Sequence, residues 1–257
     1  NGRGMTTTYF TSPQGRRLTY RSHLPTGSDL TFVWLSGFKS DMSGTKVTEL
    51  EIWARNAGHG FLAFDYSGHG ESDGAFEDGT ISAWREDALA AIDMQTDGQL
   101  VLVGSSMGGW MALLAALARR ERIAGLVLIA PAPDFTEKLM WPEFSPEAQA
   151  EIMEKGFTLR PSDYGEPYTI TRALIEDGRG WQILDEPIDL SVPVRILQGM
   201  DDPDVPWQHA ERLVTTITSP DLVFTLIKDG DHRLSRDQDI ARLKATCAEI
   251  SVAAQNR

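Results

Sequence analysis

Gly104-Ser105-Ser106-Met107-Gly108 places a serine between two glycines, each two residues away, and Gly109 follows at once. The apolar run Leu100 to Val103 precedes this stretch and a helical pattern, Met107 to Arg119, begins inside it. A serine at a sharp strand-to-helix turn is held in a strained conformation with its hydroxyl forward, and glycines on both sides let the chain turn that tightly. The first amides of the helix face the same point, so the N–H of Met107 can stabilise an oxyanion, assisted by the helix N-terminus. The same residue types would serve a simple Gly/Ser turn in which Ser105 or Ser106 only caps the helix. The strand before and the helix after favour the nucleophile.

A hydroxyl is a weak nucleophile, so Ser106 needs a base and a carboxylate to orient it, and such turns are followed in the chain by the acid and then the histidine. Of the five histidines, His23, His59 and His69 precede Ser106, leaving His209 and His232. His209 falls inside a helical pattern, Trp207-Gln208-His209-Ala210-Glu211. His232 lies in the loop Lys228-Asp229-Gly230-Asp231-His232 after the apolar run Leu222 to Ile227, where a sheet of this kind carries its chemistry, and His232 is the expected base. An unperturbed histidine, with a pKa of about 6.5, loses that ability as pH falls below it. For the acid, Asp201, Asp202 and Asp204 share the loop after Val194 to Leu197, and residue type alone leaves the three as alternatives within an acidic Asp-Pro turn.

These residues need a scaffold of alternating elements. Strands are expected at Leu18 to Arg21, Leu30 to Leu35, Gly60 to Phe64, Leu100 to Val103, Ile123 to Ile129, Val194 to Leu197 and Leu222 to Ile227. Helices are expected at Lys46 to Ala57, Ile81 to Met94, Met107 to Arg119, Gln208 to Thr216 and Asp237 to Ile250. Several of the strands are apolar throughout, as when helices cover both faces of a parallel sheet, so the class is α/β. Pro131 to Leu190 breaks the rhythm with prolines, scattered large side chains (Trp141, Phe144, Tyr164, Tyr168, Trp181 among them) and no convincing strand. It reads either as an irregular loop or pair of packing helices, or as a cap whose aromatics line an acyl pocket.

The chain has 257 residues with 24 Lys and Arg against 37 Asp and Glu, a net charge of −13. That balance excludes nucleic-acid binding, which draws on clustered basic side chains, and docking on an anionic membrane. The longest nearly unbroken apolar stretch, Trp110 to Ala118, is far below the roughly 18 residues of a spanning helix. The single Cys247 permits no internal disulfide, and Asn1 to Met5 carries neither a signal-peptide core nor an Arg- and Ser-rich leader, so the expectation is a cytoplasmic protein. Asp65 to Gly74 invites comparison with a phosphate cradle, but Asp73 stands where the third glycine of G-x-G-x-x-G belongs and would repel a pyrophosphate. With no P-loop and no metal-site spacing, no cofactor and no metal are expected.

The chain resembles the α/β-hydrolases, most closely the branch of palmitoyl-protein thioesterase and acyl-glucuronide esterase. The resemblance rests on Ser43-Gly44-Thr45-Lys46, Phe64-Asp65-Tyr66-Ser67-Gly68, Ser72-Asp73-Gly74, Trp84-Arg85, Val103-Gly104-Ser105-Ser106, Gly108-Gly109-Trp110, Val205-Pro206-Trp207 and Asp231-His232-Arg233. It implies the α/β-hydrolase fold, a mostly parallel sheet with helices on both faces and an inserted cap. Family spacing H-G-x-x-D-x-x-V-P fits Gly199, Asp202, Val205 and Pro206 with Gln198 in place of the histidine, which selects Asp202 as the acid. The family's second oxyanion amide maps to Phe38 in Leu35-Ser36-Gly37-Phe38, where Ser36 replaces the usual histidine or proline. Because Ser106, Asp202 and His232 flank the irregular region, residues 1–130 and 191–257 are expected to form one core, with 131–190 inserted as a cap. The implied activity is hydrolysis of acyl esters or thioesters by a serine nucleophile. A serine here disfavours dehalogenase and epoxide hydrolase chemistry, while C–C bond hydrolysis, peptidase activity and ligand binding without turnover remain as alternatives.

Overall fold

Leu30-Thr31-Phe32-Val33-Trp34-Leu35 is buried at every position as β3 (Leu30–Leu35), and its side chains alternate between two cores. Phe32 and Trp34 face a cluster with Val47, Leu50 and Ala54 of α1 (Thr45–Asn56) and Leu243, Cys247 and Ile250 of α7 (Asp237–Gln255). Val33 and Leu35 face the opposite cluster, built on Trp84 of α2 (Ile81–Gln95), Trp110 of α3 (Met107–Ala118) and Leu213 of α6 (Trp207–Thr216). Helices therefore cover both faces, which is why the central strands read as unbroken apolar runs. Each fully buried large apolar side chain contributes about 1.5–3 kcal/mol.

The computed structural model describes residues 8–161 and 166–255. The other strands are β1 (Thr8–Thr11), β2 (Arg17–His23), β4 (Gly60–Phe64), β5 (Gln99–Ser105), β6 (Ile123–Ile129), β7 (Phe157–Arg160), β8 (Tyr168–Thr171), β9 (Val194–Gly199) and β10 (Leu222–Ile227). Among the described residues, eight strands form one sheet in the order β1-β2-β4-β3-β5-β6-β9-β10. β2 pairs antiparallel with both β1 and β4, and the remaining pairs are parallel. No helix among the described residues is long and apolar enough to cross a membrane.

Leu126 of β6 lies opposite Val194 of β9, so the chain leaves the sheet after β6 and re-enters beside it. The intervening segment holds α4 (Pro146–Lys155), the antiparallel hairpin β7-β8 and α5 (Arg172–Arg179). The hairpin departs from the sequence expectation of no strand, because its strands have four residues each and bury only Thr158 and Ile170. Serine and threonine caps start both helices: Ser145 accepts from Ala148 N–H, and Thr171 from Leu174 N–H. The segment is fastened to α2 where the Asp177 carboxylate accepts from the Ser82 N–H at 2.7 Å and its hydroxyl at 2.5 Å. Trp181 donates to Ser82 Oγ at 2.7 Å and lies under the Arg85 guanidinium at 4.5 Å. Tyr164 and Asn1 to Met5 lie outside the described residues.

Candidate active site

At the carboxyl end of β5 the backbone of Ser106 is forced to φ 56°, ψ −120°, a left-handed conformation uncommon for a residue with a side chain. Surrounding bonds hold it there: its N–H donates to Ile129 C=O at 2.9 Å, and its C=O accepts from Gly109 N–H at 2.9 Å and Ala132 N–H at 3.1 Å. The turn also needs its glycines. A Cβ on Gly108 would stand 1.9 Å from Leu35 O, and one on Gly104 would stand 2.2 Å from Gly108 O.

The loops after β9 and β10 bring Asp202 and His232 to this serine. His232 Nε2 lies 3.1 Å from Ser106 Oγ, and His232 Nδ1 lies 2.8 Å from Asp202 Oδ2. Asp202 is buried, and its other oxygen accepts from the N–H groups of Asp204 at 2.8 Å and Val205 at 2.9 Å. Gln198, where the family carries histidine, donates through Nε2 to Asp202 Oδ2 at 3.1 Å and to Val205 C=O at 3.0 Å. The two loops lock together where Asp201 N–H donates to Gly230 C=O and a Cβ on Gly199 would stand 2.2 Å from the same oxygen. Lys46 of α1 donates to the C=O of Arg233, the residue after His232, and burial pushes its ammonium down to about 8.

Of the other residues weighed from sequence, Asp201 and Asp204 are exposed, and Asp204 touches Asp202 only through its backbone. His209 is buried on α6 with Nε2 2.7 Å from Pro133 C=O, and burial lowers its pKa. Met107, the first residue of α3, is buried beside the serine. Phe38 follows Gly37, whose position for a Cβ is 3.3 Å from Ser106 Cβ, so the loop after β3 runs against the serine. Ser36 accepts from Trp34 Nε1 at 3.0 Å. The Phe38 ring meets Phe76 at 5.0 Å, Phe135 at 5.5 Å and Tyr168 of β8 at 6.3 Å, so the inserted segment reaches the loop beside Ser106.

The glycine-rich stretch after β4 is filled by its own carboxylate. Asp65 accepts from Met42 N–H at 2.8 Å, Thr19 Oγ1 at 3.0 Å and Glu71 N–H at 3.3 Å, so a carboxylate stands where a phosphate would have to sit. Asp202, Asp204 and His232 offer potential metal-ligand atoms within 4.8 Å of one another. The nitrogens of His232 and the oxygens of Asp202 are already engaged with each other, Ser106 and Gln198, an arrangement that orients a base. Sequence reasoning noted Gln198 only as a departure, set His69 aside as a base by chain order and quoted Lys46 only within the resemblance, yet both bond to backbone atoms of the site loops.

The Alpha/beta hydrolase family matches residues 32–245. The mouse mitochondrial palmitoyl-protein thioesterase ABHD10 is 37% identical over 241 residues, which cover 90% of this chain and 80% of that protein. A putative hydrolase from Agrobacterium vitis S4 superposes with a TM-score of 0.92 at 46% identity, over 96% of this chain and 99% of the other. Mouse alpha/beta hydrolase domain-containing protein 10 superposes with a TM-score of 0.86 at 35% identity, over 95% and 98%. The thioesterase relatives from mouse, orangutan and human are all named mitochondrial, which overturns the expectation of a cytoplasmic protein. Charge and cysteine content govern solubility and redox tolerance and carry no address.

Proposed function

The chain belongs to the α/β-hydrolase family, and from that premise we propose that it cleaves carboxylic esters or thioesters with Ser106 as nucleophile, His232 as base and Asp202 as orienting acid. The observation that carries this reading is the unbroken line from Ser106 Oγ to His232 Nε2 at 3.1 Å and from His232 Nδ1 to Asp202 at 2.8 Å. The line has the order of an activated nucleophile: the neutral Nε2 accepts the serine proton while Nδ1–H donates to the carboxylate, which fixes the tautomer and stabilises the imidazolium. Attack on the acyl carbonyl places negative charge on its oxygen, where the amides of Phe38 and Met107 would receive it. One such donor is worth roughly 10²- to 10³-fold in rate. His232 then gives its proton to the departing alcohol or thiol, takes one from water, and the acyl-enzyme is hydrolysed.

Residues 131–190 serve in this reading as a cap. Phe135 and Tyr168 bring apolar rings against the Phe38 loop, which suits an acyl chain above the serine. The thioesterase name of the mouse, orangutan and human relatives supports ester-type acyl bonds over C–C and peptide bonds. Labelling by a fluorophosphonate, lost in Ser106→Ala and sharply reduced in His232→Ala, is the direct test. Turnover of p-nitrophenyl esters and acyl thioesters of increasing length then defines the substrate. A folded protein that hydrolyses neither class, or whose labelling survives Ser106→Ala, would defeat the assignment.

A further inference from the structure

His69 takes no part in the proton path, yet it is 4% exposed and its Nε2 lies 3.1 Å from the backbone nitrogen of Lys39, the residue after Phe38. Its Nδ1 lies 3.2 Å from Ser67 O. A carbonyl oxygen only accepts and a backbone N–H only donates, so both contacts are satisfied by one state of the ring, neutral with the proton on Nδ1. Lys39 sits at φ 54°, a conformation that costs of order 1 kcal/mol or more and persists only where neighbours impose it. We propose that His69 is a positioning residue for the oxyanion loop: by holding the Lys39 amide it aims the adjacent Phe38 N–H at the reacting oxygen. This rests on the assignment of Phe38 as an oxyanion donor.

The ring is built in on every side. Tyr66, Phe76 and Trp84 meet it edge-on at 5.6, 5.5 and 5.2 Å. Gly68 at φ 71° and Gly70 at φ 50° let the backbone turn the ring inward, and a Cβ on Gly70 would fall 2.1 Å from the Asp65 carboxylate. Ser67 is anchored in turn, since Asp87 of α2 accepts from its N–H at 2.9 Å and its hydroxyl at 2.6 Å. A continuous chain of bonds thus runs from a buried helix carboxylate through Ser67 and His69 to the loop beside Ser106. Burial, with a smaller push from the Lys39 ammonium and opposed by the hydrogen bond to the Ser67 carbonyl and more weakly by Asp41, takes the His69 pKa down to about 4. The carboxylates of Asp65 and Asp87 bond to the same turn, at Glu71 N–H and at Ser67, the Tyr66 ring meets the imidazole, and Phe76 and Trp84 carry no charge. The ring is therefore an acceptor throughout the range in which a histidine base works.

Two substitutions separate positioning from packing. In His69→Gln the side-chain amide can donate to Ser67 and accept from Lys39, and kcat is expected within about fivefold of wild type. His69→Phe keeps the aromatic packing but offers no acceptor, and kcat is expected to fall on the order of 10²-fold with KM within about twofold. The Ki of an alkyl trifluoromethyl ketone, whose hemiketal oxygen occupies the oxyanion position, should rise in parallel. A folded Phe variant with wild-type kcat and Ki overturns the proposal, as does an equal loss in both variants with Ki unmoved. Because the Phe variant can fail to fold, the ring is also read in the wild-type enzyme labelled with ¹⁵N-histidine, its signal assigned by its absence from His69→Gln. Protonated Nδ1 and unprotonated Nε2 between pH 5 and 8 are expected, and a proton on Nε2 overturns the proposal. Ser106→Ala is run alongside: full turnover in it would defeat the nucleophile assignment, whereas a dead Ser106→Ala beside an unaffected His69→Phe defeats only the role of His69.

Discussion

Asp202 collects four donors, two backbone N–H groups on one oxygen and the His232 ring and the Gln198 amide on the other. Asp202→Asn keeps the size of the side chain but turns an acceptor for Nδ1–H into a group that can donate, which selects the wrong imidazole tautomer. The expected loss is of order 10⁴ in kcat with the fold intact, measured by steady-state kinetics beside a thermal melt. Gln198→Leu removes one donor and leaves the other three, so it should cost clearly less than Asp202→Asn, and Gln198→His, the residue of the family pattern, should restore part of the loss. Equal effects from Asp202→Asn and Gln198→Leu would show that the acid works only through packing. The meeting of Ser106 with His232 at 3.1 Å was legible in the sequence because a strained turn needs glycines and its partner was expected in a later strand-end loop. Asp202 was not separable from Asp201 and Asp204 by type, and family spacing had to choose among them. His69 was weighed only as a base and set aside by chain order, because the role proposed for it depends on a backbone amide 30 residues earlier, a relation that only the folded loop creates.

At the level of elements, the site depends on α3 packing close against β3 so that the loop after one meets the turn before the other. Gly108 marks the closest approach, with a would-be Cβ 1.9 Å from Leu35 O, whereas nothing lies within 4 Å of that position on Gly44 before α1. Gly108→Ala must push the helix from the strand and should destabilise by about 1–3 kcal/mol, lowering Tm by roughly 2–12 °C, with a loss of activity larger than the loss of folded protein. Gly44, at φ −65°, accepts Ala with an effect within about 1 kcal/mol, and a calorimetric scan of both variants checks the contrast. The elements themselves were legible in proportion to what they bury. β3, β4, β6 and β10 fall on their expected bounds because apolar or β-branched runs end in turn signals. β1, β7 and β8 have four residues each and bury one apiece, too short a pattern to establish a period of two.

Across the whole molecule, the carboxylates and the histidines act on stability in opposite directions as pH falls. Protonating surface carboxylates relieves the repulsion of a chain with net charge −13, and buried Asp65 and Asp134, whose pKa values burial raises, take up protons more readily folded than unfolded. Buried His69 and His209 and the half-buried His59 oppose this, because burial lowers each pKa and the unfolded chain binds the proton first. For His69 the window runs from the ordinary 6.5 down to about 4, so stability is lost as pH falls through it. Between pH 7 and 5 the His69 share of that loss is about 2 kcal/mol, since a tenfold difference in proton affinity corresponds to about 1.4 kcal/mol and the folded ring is still mostly unprotonated at pH 5. Urea unfolding at pH 7, 6 and 5 measures it while staying above the pI of 4.8. His69→Gln has no titrating group at this position, so its unfolding free energy should fall by about 2 kcal/mol less than that of wild type over the same interval, whatever its absolute stability. Identical slopes for the two proteins would mean that His69 titrates alike in the folded and unfolded chain, which its caged, doubly bonded ring does not allow.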